Sequence, residues 1–353
     1  MNRRLYPILL LLLLSFTACQ NSGTTKVSAT GSIYECLVVM PSRPLPQPQI
    51  VHSASAYDED IVTTYDLVKA VMAADMPCLP QIEPYFKLTH VTPQAFDDFL
   101  KPTRNILMID IDSARYTTTK AKYSVDYWSH PQALYRIQTP DVESFMAFWQ
   151  ANGQAIREWF VQQELQRQIR FYRASTNKTA RAALQRTIGI DLLVPEDYML
   201  IKDTTDFVWC CNNKGSLRRD IVVWSYPYTN AKTFTLDYLN RKRDEVLGQY
   251  ISASVPGSYM GTEYKFFPPT FRYVSALPNA TDSLSKHDFY AAEVRGLWKM
   301  YSGEAMGGPF VSLTRLDSLG QRVITTEVFV LAPGQKKRNP LRQAEAILYT
   351  LRP

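Results

Sequence analysis

The chain has 353 residues, with 39 Lys and Arg against 33 Asp and Glu and a formal net charge of +6. An apolar fraction of 46% beside 20% charged residues is the balance of an ordinary globular protein, long enough for one large core or two domains. The positive balance is too mild to point to nucleic acid, and two of its cations, Arg3 and Arg4, belong to the leader described next.

Arg3 and Arg4 precede an apolar run from Ile8 to Leu14, and Phe16-Thr17-Ala18 leads into Cys19. A basic start, a short apolar stretch and small residues before a cysteine predict a lipoprotein signal peptide over residues 1–18, with Cys19 lipidated. The apolar run is shorter than the roughly 20 residues a spanning helix needs. Phe16 stands where such lipidation motifs usually carry Leu, and by resemblance to bacterial lipoprotein sorting signals Gln20 in place of Asp favours the outer membrane over the inner one. No acidic cluster follows, which favours the periplasmic leaflet. Residues 19–30 are small and polar and read as a tether.

The first domain is expected over 31–175. Tyr34 to Met40 is a short apolar strand. Pro41, Pro44, Pro46 and Pro48 keep the next segment out of helices and central strands. Residues 57–74 place Ile61, Tyr65, Val68 and Met72 on one helical stripe. Strands follow at 85–91, 105–112, 122–128 and 133–138. Thr139-Pro140-Asp141 opens a helix, and Asn152-Gly153 is expected to break it before a second stretch to about Arg173. The basic segment 157–186 reads as a junction with a solvated face.

The second domain is expected over 185–353. Strands are read at 188–194, 199–202 and 207–211, then a hairpin turn at Asn212-Asn213-Lys214-Gly215 and a return strand at 220–226. An amphipathic helix covers 233–251, strands cover 271–277, 289–300, 309–316 and 323–332, and a helix at 340–351 closes the chain. The fold class that results is α+β, with antiparallel sheets flanked by helices in two domains.

Several words of the second half resemble a known family. They are Arg219-Asp220-Ile221-Val222-Val223-Trp224, Asn240-Arg241-Lys242-Arg243-Asp244, Gly257-Ser258-Tyr259-Met260, Arg295-Gly296-Leu297-Trp298, Met306-Gly307-Gly308-Pro309-Phe310 and Ala344-Glu345-Ala346-Ile347-Leu348. Their order is similar to the Bacteroidota lipoproteins catalogued as domain of unknown function 4837. The resemblance implies an envelope lipoprotein and assigns no activity. The opening of the second domain is also similar, in order of elements, to α/β/α sandwiches.

Candidate sites are few. His52, His90, His130 and His287 are scattered, Asp110 and Asp112 share a strand face, and no metal set or cofactor motif emerges. Cys36 and Cys78 are candidates for a disulfide in an oxidising compartment, whereas the neighbours Cys210 and Cys211 read as small buried hydrophobes. Ser258 with His287, or a pair drawn from Glu263, Glu293, Glu304 and Glu327, would be the residues of a hydrolase acting on an envelope substrate. The favoured reading is a non-enzymatic binding or assembly component of the cell envelope. Arg295, Trp298, Gly307, Gly308 and Phe310 would present one surface with bare backbone amides, and Lys336, Lys337 and Arg338 would offer cations at a helix start. Arg218, Arg219 and Arg241-Lys242-Arg243 would extend that positive face. The partners expected are the membrane, through the lipid, and an envelope protein or glycan, with no nucleic acid.

Overall fold

Short apolar runs recur along the chain, and the computed structural model, which describes residues 26–50, 60–274 and 291–352, gathers them into two main sheets and two small ribbons. The signal peptide, Cys19, the start of the tether, His52, His287 and the outer ends of the expected elements at 57–74, 271–277 and 289–300 lie outside the described residues.

The first half runs β1 (Val27–Ser28), β2 (Glu35–Val39), β3 (Pro44–Ile50), β4 (Asp60–Thr63), α1 (Thr64–Met72), β5 (Lys87–Val91), β6 (Asn105–Ile111), β7 (Lys120–Val125), β8 (Ser129–His130), β9 (Ala133–Thr139) and α2 (Val142–Arg173). Its sheet has the order β5-β2-β6-β9-β7. Strands β5, β2, β6 and β9 are parallel, and only β7 is antiparallel, which departs from the all-antiparallel expectation. Parallel neighbours need covered faces. β2 accordingly points Cys36 and Val38 into the main core and Leu37 and Val39 into a smaller cluster with Ile106 and Leu134. The proline-rich segment does form a strand, β3, but only in a two-stranded ribbon with β4, where absent N–H donors are tolerated.

The second half runs α3 (Lys178–Thr187), β10 (Met199–Thr204), β11 (Phe207–Lys214), β12 (Leu217–Pro227), α4 (Leu236–Tyr250), β13 (Tyr259–Glu263), β14 (Thr270–Val274), β15 (Ala291–Tyr301), β16 (Gly307–Asp317), β17 (Arg322–Leu331) and α5 (Arg338–Leu348). The sheet order is β10-β11-β12-β17-β16-β15-β13, with β14 also paired to β15, all antiparallel. Alternation sorts the side chains. Ile221, Val223, Val311, Leu313 and Val328 join the main core. Val222, Trp224, Phe310, Val323 and Phe329 join a second core, with Leu239 and Leu247 of α4. Helices thus cover both faces: α5 packs on β12, β16 and β17, and α4 packs on β13. Residues 188–194 form no strand. Their alternation buries Ile188, Ile190, Leu192 and Val194, but the segment finds only an isolated bridge from Asp191 to Arg352.

Helix α2 is one unbroken element of 32 residues. Asp141 caps it by accepting from the Ser144 amide at 2.7 Å. Gly153 does not end the helix. It makes room for Trp149, whose ring would lie 3.0 Å from any Cβ placed there. The helix buries Phe145, Trp149, Ile156, Phe160, Leu165 and Ile169 in a core shared with both sheets. Apolar residues on several sides leave no clean amphipathic stripe, which is why the segment looks weakly apolar in sequence.

Its charge is not all solvated. Glu164 and Arg167 are buried, Arg104 donates to both Glu164 oxygens at 2.7–3.1 Å, and Arg167 and Asn105 donate at 2.9 and 2.7 Å. Burial opposes ionisation of Glu164, but these donors hold its carboxyl below the usual range. Glu164→Ala leaves Arg167 buried without its partner. It is expected to cost about 3 kcal/mol in urea unfolding followed by tryptophan fluorescence.

Candidate functional site

The buried charges of the second half converge where β15 meets α5. On β15, Glu293 and Arg295 share the face toward α5, while Ala292, Val294 and Trp298 point into the other core. On α5, Arg342, Glu345 and the C-cap Tyr349 are three and four residues apart and so line one side of the helix. Arg272 reaches in from β14. Its Nε and Nη2 each donate to Glu293 at 2.8 Å. Arg295 Nε donates to Glu293 at 2.7 Å, and both of its Nη groups reach Glu345. Arg342 Nη1 donates to Glu345 at 3.0 and 3.2 Å. The Tyr349 hydroxyl donates to Glu293 at 3.0 Å and Glu345 at 3.1 Å.

The electrostatics follow from this pairing. Burial works against both carboxylates, yet Arg295 and Arg272 outweigh it at Glu293, and Arg295 and Arg342 do so at Glu345. Both carboxyls sit below their ordinary range. Burial and the two carboxylates push the Tyr349 phenol well above its ordinary value. The group is therefore an array of fixed ionised carboxylates and permanent cations, with no side chain poised to exchange a proton near neutrality.

A cavity of about 180 Å³ opens beside it, lined by Pro77, Tyr85 and Glu158 of the first half and by Thr270, Phe271, Arg272, Glu293, Arg295 and Arg342 of the second. Arg157 lies 4.1 Å from the Tyr85 ring centre and pairs with Glu158 at 3.1 Å. Cys78, with φ +59°, donates its thiol to the Arg295 carbonyl at 3.4 Å.

Of the residues singled out in sequence, Glu293 and Arg295 belong to this network. Trp298 does not, because it faces the opposite side of β15 and donates to the Val330 carbonyl at 3.2 Å. Gly307 and Gly308 are not a bare loop but the start of β16. A Cβ on Gly307 would lie 2.7 Å from the Trp298 carbonyl oxygen, and one on Gly308 would strike that of Val330. Phe310 is fully buried under the Arg243 guanidinium, 3.8 Å from its ring centre. These residues serve packing.

The basic helix start has a different fate from the binding site expected. Lys336 is exposed, but the amides of Lys337 and Arg338 donate to the Glu83 carboxylate at 2.6 and 3.2 Å. The anion suited to that helix start is the protein's own, supplied by the first half. Arg338 also donates to the Pro84 carbonyl at 2.7 Å. The other cations form no common face. Arg218 pairs with Asp220 at 2.9 Å, Arg219 reaches Gln343 of α5 at 3.1 Å, and Arg243 is buried against Glu327 at 2.7 Å.

The expected catalytic groups are dispersed. Ser258 Oγ accepts from the Ala253 amide at 2.8 Å and locks a turn before β13, a strand beyond those expected. Glu263 pairs with Lys299 at 2.6 Å, and Glu304 bonds Ser254. Among the described residues no three His, Cys, Asp or Glu could hold a metal. Cys36 and Cys78 are free and face different partners, the former the Leu37 carbonyl, the latter that of Arg295. Cys210 and Cys211 are buried small hydrophobes, and burial pushes both thiols up to about 12.

Sequence reasoning missed Arg272, Arg342, Glu345 and Tyr349 as a unit. The available signal was charge inside apolar elements, Glu293 and Arg295 within β15 and Glu345 between Ala344 and Ala346.

An α+β protein with a buried arginine–carboxylate cluster is thus the class the geometry defines. Residues 176–350 match the family described as domain of unknown function DUF4837, and over those residues the chain belongs to it. Residues 48–173 match a second family, domain of unknown function DUF8532. The two meet between Arg173 and Thr176, just past α2. No curated protein matches the chain.

The depressed carboxyls set the sign of a pH effect. An unfolded Glu titrates near about 4.3. The stability from Glu293 and Glu345 is therefore fully present above about pH 5 and is lost as pH falls toward their folded values. Glu293→Gln is expected to lower the unfolding free energy at pH 7 by about 3 kcal/mol and to flatten its decline between pH 5 and 3, as read by urea denaturation across that range.

Proposed function

We propose that this chain is a lipid-anchored component of the cell envelope that binds a ligand or partner and carries out no chemistry on it. The observation that supports binding over catalysis is the cavity wall. Glu293 in that wall, and Glu345 in the network beside it, are each held ionised by at least two arginine or tyrosine donors, so neither is a ready general acid or nucleophile. The leader supports the anchor, with Arg3 and Arg4, the run Ile8–Leu14 and Cys19. In the described residues no helix is long and apolar enough to cross a membrane, and a lipid on Cys19 would be the attachment. Gln20 and the residues after it favour the outer membrane and its periplasmic leaflet.

Cys19→Ala is expected to abolish incorporation of labelled palmitate and to move the protein from the membrane pellet to the soluble fraction. The unaltered protein should leave the pellet with detergent but not with high salt, and should resist protease added to intact cells.

A further inference from the structure

The cavity at the junction has an uneven charge inventory. Three guanidinium groups, Arg272, Arg295 and Arg342, border it or its wall, against two carboxylates inside the network, Glu293 and Glu345. Glu158 on the rim is taken by Arg157. The Arg272 side chain is more than half exposed to solvent, so the buried cation with bonding capacity left is Arg342. It is 5% exposed, gives Nη1 to Glu345, and lines the cavity. Its Nε and Nη2 donate no hydrogen bond among the described residues. Arg295, by contrast, spends its Nε and both Nη groups on Glu293 and Glu345. A nearly buried guanidinium that shares its one carboxylate, Glu345, with Arg295 still lacks acceptors along its free edge. That planar fork matches a carboxylate.

The remaining walls narrow the ligand further. Tyr85 gives flat ring surface, and Arg342 lies 5.4 Å from its ring centre. At about 180 Å³ the space is below the range of drug-sized sites, so it suits a compact ligand or the terminal group of a larger one.

We propose that this cavity binds a small carboxylate, whose head group pairs with Arg342 and whose body lies against Tyr85. The inference rests on the binding reading above and names its ligand class. The carboxylate could be a free organic acid or an acidic sugar residue of an envelope glycan, and the probes separate these two sources.

The test is a ligand-observed proton NMR titration of the purified mature chain at pH 7, with benzoate and glucuronate as probes. Benzamide and glucuronamide, of the same shape without the charge, are the controls. At least one acid is expected to bind with a Kd below about 10 mM and at least tenfold more tightly than its amide, with affinity falling as salt rises. Binding of benzoate alone would indicate a free acid, and binding of glucuronate a sugar acid; either supports the proposal.

Arg342→Met is expected to weaken binding at least tenfold. Because Arg342 also holds Glu345, Thr270→Trp serves as a second variant: it fills the cavity without removing any member of the network, and should abolish binding while the thermal unfolding midpoint stays near that of the parent. Equal binding of acid and amide, no binding of either acid, or unchanged binding to a folded Thr270→Trp variant would overturn the proposal. Conversion of a bound probe to a new species in the same spectra would overturn the non-catalytic reading and leave the ligand class standing.

Discussion

Helix α5 is held in place by charge from both halves of the chain, and most of the structure depends on that. Glu83, from the first half, accepts from the amides of Lys337 and Arg338 at its start. Arg295, on the second sheet, grips Glu345 at its middle. The Tyr172 hydroxyl of α2 donates to the Gln343 carbonyl at 3.2 Å. The apolar face of the helix, with Leu341, Ala344, Ile347 and Leu348, is buried in the main core and provides the general attraction. The charges fix how the helix lies on the sheet. Buried ion pairs contribute little net stability over apolar packing, but removing one partner strands the other, so the cluster must be kept whole.

The same device recurs on the other side of the core. Glu164 of α2 is clasped by Arg104, Asn105 and Arg167 and ties the long helix to the edge of β6. Since α2 buries side chains toward both sheets and α5 packs against it, the two clusters bracket one continuous core. The cavity lies at this junction because Tyr85 and Glu158 come from one half and Arg342 and Phe271 from the other. A ligand there would touch both halves at once.

Much of this architecture was legible in the sequence. Strand alternation gave β6, β9, β12, β16 and β17 to within a few residues, and the Asp141 start of α2 followed from capping chemistry. Two kinds of signal misled. The alternation of residues 188–194 is real burial without a partner strand, and Gly153 is a packing glycine that resembles a helix breaker. The site was less legible. Gly307, Gly308 and Phe310 look like a ligand loop only because close packing and ligand access both call for bare backbone and aromatics. The parallel order of the first sheet depends on pairings between strands tens of residues apart, and the meeting of Glu83 with α5 on a contact across more than 250 residues, neither of which local periodicity encodes.

The central claim, that Arg295 and Glu345 act as one coupled joint, is tested most directly by a double-mutant cycle. The unfolding free energies of the parent, Arg295→Met, Glu345→Gln and the double variant would be measured in urea at pH 7. The account predicts that the double variant is less destabilised than the sum of the single variants by at least about 2 kcal/mol, because each single change strands a buried partner. Additivity within about 0.5 kcal/mol would show that the two residues act independently, and would contradict it.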